Sequence, residues 1–162
     1  MNNGSAALRP GLIGLTVLSI LGLAVELATE RHWRGWEQLL PWGALILLAF
    51  GVALLIRGGS PKEVVVVRVL SAVVLLVALF GVYAHVAANY DTGFLDQRYA
   101  GVWATLPVIS RLWYALTKSV GPAPPFAPGA LAQAALLLLL TTLVRRPALV
   151  RRSAGRRRSS PE

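Results

Sequence analysis

Two titratable residues stand out within or at the ends of long apolar stretches of this chain, Glu26 and His85. A charge in such a setting is costly, so each needs a reason to be there. Each has polar company at helical spacing: Glu30 lies one turn after Glu26, and Asn89 one turn after His85, so that each pair shares a helix face. Gly22 and Gly81 stand one turn before them, where a glycine lets two helices approach closely. Gln133 sits near the start of a further apolar stretch, and Asp91 follows Asn89. Carboxylates, an imidazole and amides in one layer can bind a small polar ligand, relay protons or hold a divalent metal. The candidate ligand-binding set is Glu26, Glu30, His85, Asn89, Asp91 and Gln133. The plainer reading is that Glu26 and His85 bond each other and fix helix register.

Several chemistries are set aside on the same residues. No HExxH or paired ExxH spacing occurs, and no metal or other cofactor is expected. Haem with two histidine ligands would need both on one cavity, and of the two histidines His32 lies in a connection. The chain has no cysteine, which removes disulfides, thiolate metal sites and cysteine nucleophiles. Ser110, His85 and Asp91 can be assembled into a triad on paper, but no nucleophile-elbow motif supports it. Glycine-rich phosphate loops are absent too, and an enzyme is the less expected class.

The elements that must position the candidate set are four apolar segments, at about 12–28, 42–57, 64–88 and 126–144. Roughly 17 to 25 helical residues cross a hydrocarbon core. Lipid offers no partners to open backbone, and the Leu, Val and Ala runs lack the alternation of a barrel strand. The expected fold is therefore all-α: four transmembrane helices in a small antiparallel bundle, forming one domain over residues 1–150. The first segment is expected to be retained rather than cleaved, because Glu26 would occupy the cleavage recognition site.

Charge orients the segments. Of sixteen Lys and Arg, eleven lie before the first segment, around the second connection or after the fourth. The positive-inside rule then puts both termini in the cytoplasm, with Glu26 and His85 at one depth near the outer face. The Arg-over-Lys bias and the Ala, Leu and Val richness suggest a bacterial plasma membrane. The net charge of +9 is concentrated in an Arg-rich end, with 151–162 expected to be a disordered tail. No aromatic residue is interleaved there for base stacking, so anionic lipid head groups, not nucleic acid, are the expected contact.

The first connection carries Trp33, Trp36 and Trp42, suited to a membrane boundary. The second, around Gly58, Gly59 and Pro61, reads as a tight turn. The third is long. Leu106, Ile109, Leu112, Trp113 and Leu116 recur there at three- and four-residue steps, predicting an amphipathic helix in the outer interface that Pro107 breaks or starts. Residues 121–129 read as an extended proline-rich strap. Three functions compete on this sequence. The first is a structural or accessory subunit of a membrane assembly, with protein partners or further copies of itself. The second is a small oligomeric transporter or ligand-binding protein using the outward polar site. The third is a membrane-embedded enzyme acting on lipid-linked substrates.

Overall fold

The structure, a computed structural model, describes residues 3–125 and 127–144. Every regular element among them is helical: α1 (Asn3–Thr29), α2 (Trp36–Arg57), α3 (Pro61–Thr92), α4 (Val108–Leu116) and α5 (Ala127–Leu143). Short 3-10 turns at Gly93–Leu95 and Trp103–Thr105 lie between α3 and α4. Three stretches, Ala7–Thr29, Trp36–Arg57 and Pro61–Leu95, are long and apolar enough to cross a membrane. The fourth apolar helix, α5, has 17 residues; at 1.5 Å per residue it rises about 26 Å. The expected basic tail lies outside the described residues.

α1, α2 and α3 begin ahead of their apolar blocks. α2 begins at Trp36 rather than near 42, with Pro41 inside it. Pro41 is the sixth residue of α2, so the helix forfeits one bond there, the one that a backbone N–H would make to the Glu37 carbonyl. α1 begins at Asn3, ahead of the apolar segment at 12–28, and includes Pro10. α3 starts at Pro61 under a full capping box: the Ser60 hydroxyl accepts from the Glu63 backbone N–H, and the Glu63 carboxylate accepts from that of Ser60. That pair satisfies two donors the helix leaves open. Pro107 starts α4 and does not interrupt a longer helix.

The core comes from four helices, with Leu48 and Leu55 of α2, Val67 and Val74 of α3 and Leu138 of α5 fully buried. α5 packs on α1, α2 and α3, while α1 packs on α5 and α2. Gly51 admits the Leu138 side chain so closely that an added Cβ would stand 2.8 Å from it. At one end of the group, Arg9 donates to the Leu55 carbonyl and Arg68 to the Thr142 hydroxyl, each at 3.0 Å. Towards the other end, Gly81 of α3 lies under Pro128 of α5. Outward-facing Leu18, Ile46, Leu76 and Leu79 leave the group apolar on its outside as well as within. Helices apolar all round belong in a large core or a bilayer.

Beyond Gly81, α3 carries a cap of connecting chain. Trp103 is buried against Gly93 and meets the rings of Tyr90 and Tyr99 edge-on, while Tyr99 stacks on Tyr114 at 4.8 Å. Arg98 grips Asp96 with two hydrogen bonds and donates to the Ser119 carbonyl, tying this loop to the end of α4. Its guanidinium holds the Asp96 carboxyl below the usual range. The strap at 121–125 is held by Asn89, which is fully buried. Its amide donates to the carbonyls of Ala115 (3.0 Å) and Ala123 (2.7 Å), and its oxygen accepts from the Ala123 N–H at 2.9 Å. Gly121, at φ +78°, crosses directly over Asn89, where a Cβ would fall 2.5 Å from the Asn89 Cα.

Asn89→Leu should strand two carbonyls and one N–H, lowering stability by about 2–4 kcal/mol. Gly121→Ala should have a comparable effect, through left-handed strain and the clash with Asn89. Unfolding in detergent measures both, and protease cleavage within 121–125 should accelerate in step. Unchanged cleavage would mean that Asn89 does not hold the strap.

Candidate functional site

A cleft of about 610 Å³ opens at the end of the helix group where the strap lies. α1 contributes Leu23, Glu26 and Leu27, and Glu30 follows from the residue after its end; α2 contributes Glu37, Gln38 and Leu45. α3 contributes Val77, Phe80, Gly81 and His85, while the strap adds Pro122–Pro124 and α5 adds Pro128 and Leu131. Lys118 lies on the rim chain between α4 and the strap. The polar groups therefore surround a space whose other walls are Leu, Val, Phe and Pro.

Glu26, Glu30 and His85 all line this cleft. Their helices meet differently from the expectation built on the glycines. Gly81 admits Pro128 of α5, and Gly22 faces open space. Glu26 and His85 thus look onto a cavity from separate walls, with the start of α5 alongside. Asn89 is buried under the strap and does not line the cleft. Asp91 is exposed on the cap and lies away from the lining. Gln133 is also exposed, because Leu131, Ala134, Ala135 and Leu138 take the buried face of α5 and its position falls on the other side.

His85 is oriented by the strap. Its Nδ1 lies 2.7 Å from the Pro124 carbonyl. A carbonyl can only accept, so Nδ1 carries the hydrogen. The bond leaves Nε2 as the nitrogen that can take a second partner.

His32 joins the same cleft, and sequence reasoning left it in a connection. α1 ends in a reversal in which the Arg31 N–H reaches the Ala28 carbonyl and the His32 N–H reaches that of Leu27. This is a Schellman closure with Arg31, at φ +51°, in the left-handed position where glycine is usual. Trp42 then fixes the turn, its indole N–H donating to the His32 carbonyl at 2.8 Å. The turn brings His32 back over the cleft, near both His85 and Glu30. Burial holds its imidazole below the ordinary 6.5, the His85 ring adds to that, and Glu30 opposes it. Lys118 reaches the rim by the same device, at φ +55° after α4. Without a glycine at either closure, neither reversal has a sequence signal.

Among the described residues no group of three or more His, Asp and Glu is arranged to hold a metal. The site can bind, orient and exchange protons with a guest. Comparison with family models, curated proteins and solved structures finds no match for this chain.

The histidine pair yields a direct check, since ring NMR signals from two histidines are easily assigned. His32 should titrate below 6.5. His85→Gln removes the neighbouring ring and should move that midpoint up; Glu30→Gln removes the opposing carboxylate and should move it down. If His32 ignored both changes, the three groups would not share a site.

Proposed function

We propose that this is a four-span membrane protein that binds a small ligand in an outward-facing cleft around Glu26 and His85. One observation carries the reading: both residues, with Glu30 and His32, line a single cavity of a size suited to a small molecule. Mutual bonding to fix register would have left Glu26 and His85 in contact, without a space between their walls. The mixture of apolar walls with a few convergent polar groups is typical of ligand pockets. The accessory-subunit and enzyme readings have no comparable feature in their favour.

In this proposal the helices form an antiparallel bundle. Arg68 with Thr142 and Gly81 with Pro128 pair α3 and α5 in opposite senses, which supports that arrangement. Both termini lie in the cytoplasm of a bacterial plasma membrane, following the bias of Arg and Lys. The 17 residues of α5 cross a core of roughly 30 Å with the adjoining chain or a local thinning of the bilayer. α4 rests in the outer interface. It turns Ala115 and Arg111 towards the protein, and leaves Ile109 (75% exposed) and Trp113 (62%) outside. That is the polarity of a helix bathed in lipid head groups rather than in water. Contact of the basic tail with anionic lipid, and assembly with other copies, remain parts of the proposal.

Since the chain has no cysteine, single cysteines report topology. An impermeant maleimide on intact cells should label Trp33→Cys and Gln97→Cys, while Lys62→Cys and Val144→Cys should react only after permeabilisation. Labelling of Val144→Cys from outside would refute a spanning α5. Ligand binding is tested by plugging the cleft with Ala84→Phe. Compounds that raise the melting temperature of the purified protein should lose that effect in the plugged variant. A saturating ligand, at about 100 times its Kd, adds near 3 kcal/mol. A compound panel with no hit that distinguishes the two proteins would defeat the reading.

A further inference from the structure

We infer that the cleft is built for an amphiphilic organic cation, a molecule with a positively charged head and an apolar tail. This rests on the ligand-binding reading above and names the class of guest. Three carboxylates, Glu26, Glu30 and Glu37, line the cleft, against one ammonium, Lys118, among the described lining residues. Burial lowers the pKa of the His32 imidazole and so favours its neutral form, with the His85 ring adding to that and Glu30 opposing it.

The hydrogen-bonding character of the walls points the same way. Pro122 and Pro124 have no N–H to offer. The Ala123 N–H between them is already taken by the Asn89 oxygen. The strap therefore shows a guest no backbone donor from these three residues, while its Ala123 and Pro124 carbonyls already accept from Asn89 and His85. The carboxylates supply the acceptors. An anionic head would find repulsion and few donors there, whereas an ammonium meets carboxylate and the ring of Phe80. That ring is itself backed by Trp36, stacked at 6.4 Å. A cation over an aromatic face gains further attraction.

The tail has a separate place. Leu27, Leu40, Val77 and Pro128 are half-buried apolar members of the lining, and they come from four different helices. An inorganic cation would leave this surface wet and unused. A cation carrying a short alkyl or aromatic body would cover it, removing apolar area from water. The two halves of the cleft thus call for one molecule that has both.

The test uses the full-length protein in lipid nanodiscs and three probes with an eight-carbon chain that differ in the head: octylammonium, octanoate and octyl glucoside. The ring signals of His32 and His85 report from the cleft itself, so probe that merely dissolves in lipid does not register. Octylammonium should shift both signals saturably, and the other two should not at equal concentration. Glu26→Gln with Glu30→Gln should weaken the cation roughly tenfold, a change of about 1.4 kcal/mol. Lys118→Asn, which suits the left-handed backbone there, should strengthen it, so the charge argument does not hang on the double variant folding. Octanoate or octyl glucoside binding as well as the cation would overturn the cation assignment and leave the ligand-binding reading standing. Cation binding unmoved by either change of charge would overturn it too. Silence from all three probes would remove both.

Discussion

One carboxamide holds three pieces of chain in register. Asn89 sits on α3, bonds the last turn of α4 through the Ala115 carbonyl, and clasps the strap through both polar atoms of Ala123. A strap containing three prolines has few N–H groups of its own and cannot join a ladder. Its position must therefore come from a side chain, and a buried amide with both donors and its oxygen engaged is a stringent way to set it. Once the strap is set, Pro124 is set, and with it the orientation of His85. Residues 127 and 128 follow, so the start of α5 against Gly81 depends on the same clasp.

The glycines divide by what they meet. Gly121 and Gly93 are required by close approach, since a Cβ on either would run into Asn89 or Trp103. Gly81 lets a proline of α5 lie on α3. Gly22 meets nothing within 4 Å, so its place one turn before Glu26 does not bring α1 onto α3. Two polar residues can share a depth without sharing a contact. What separates them here is the packing of α5 against both of their helices.

Much of the helical content was legible in the sequence, because apolar blocks of such length leave little choice of backbone. The helix starts were less so. Ser60-Pro61-Lys62-Glu63 carries a capping box in plain view, yet beside two glycines it reads as a turn alone. The shared helix face of Glu26 and Glu30 was legible from four-residue spacing, but their place on one cavity with His85 was not, since spacing within a helix says nothing of its neighbour. The role of Asn89 was not, since spacing puts it on the face of His85 and says nothing of a strap more than thirty residues away. His32 and Lys118 were hidden for a different reason. Each enters the cleft through a left-handed closure at a non-glycine residue, and Arg31 and Lys118 give no compositional hint of one. Gln133 shows the opposite error: a polar residue near the start of an apolar helix can simply occupy the outward face.

The location of the cleft follows from the unequal heights of the helices. At the Arg9 and Arg68 end, two guanidinium groups reach neighbouring helix ends, and the link from α2 to α3 is only Gly58–Ser60. Short links bring helix ends together and leave no room between them. At the other end α1 stops at Thr29 and α5 begins beside Gly81, while α3 continues for eleven more residues to Thr92. That overrun is about 16 Å of helix with no neighbour of equal length. The strap, α4 and the aromatic cap cover its outer part, and the cleft occupies the step below them. His85 lies one turn past Gly81 and so stands at that step. A polar residue lower on α3 would have met packed Leu and Val, and one higher would have gone under the strap, as Asn89 does.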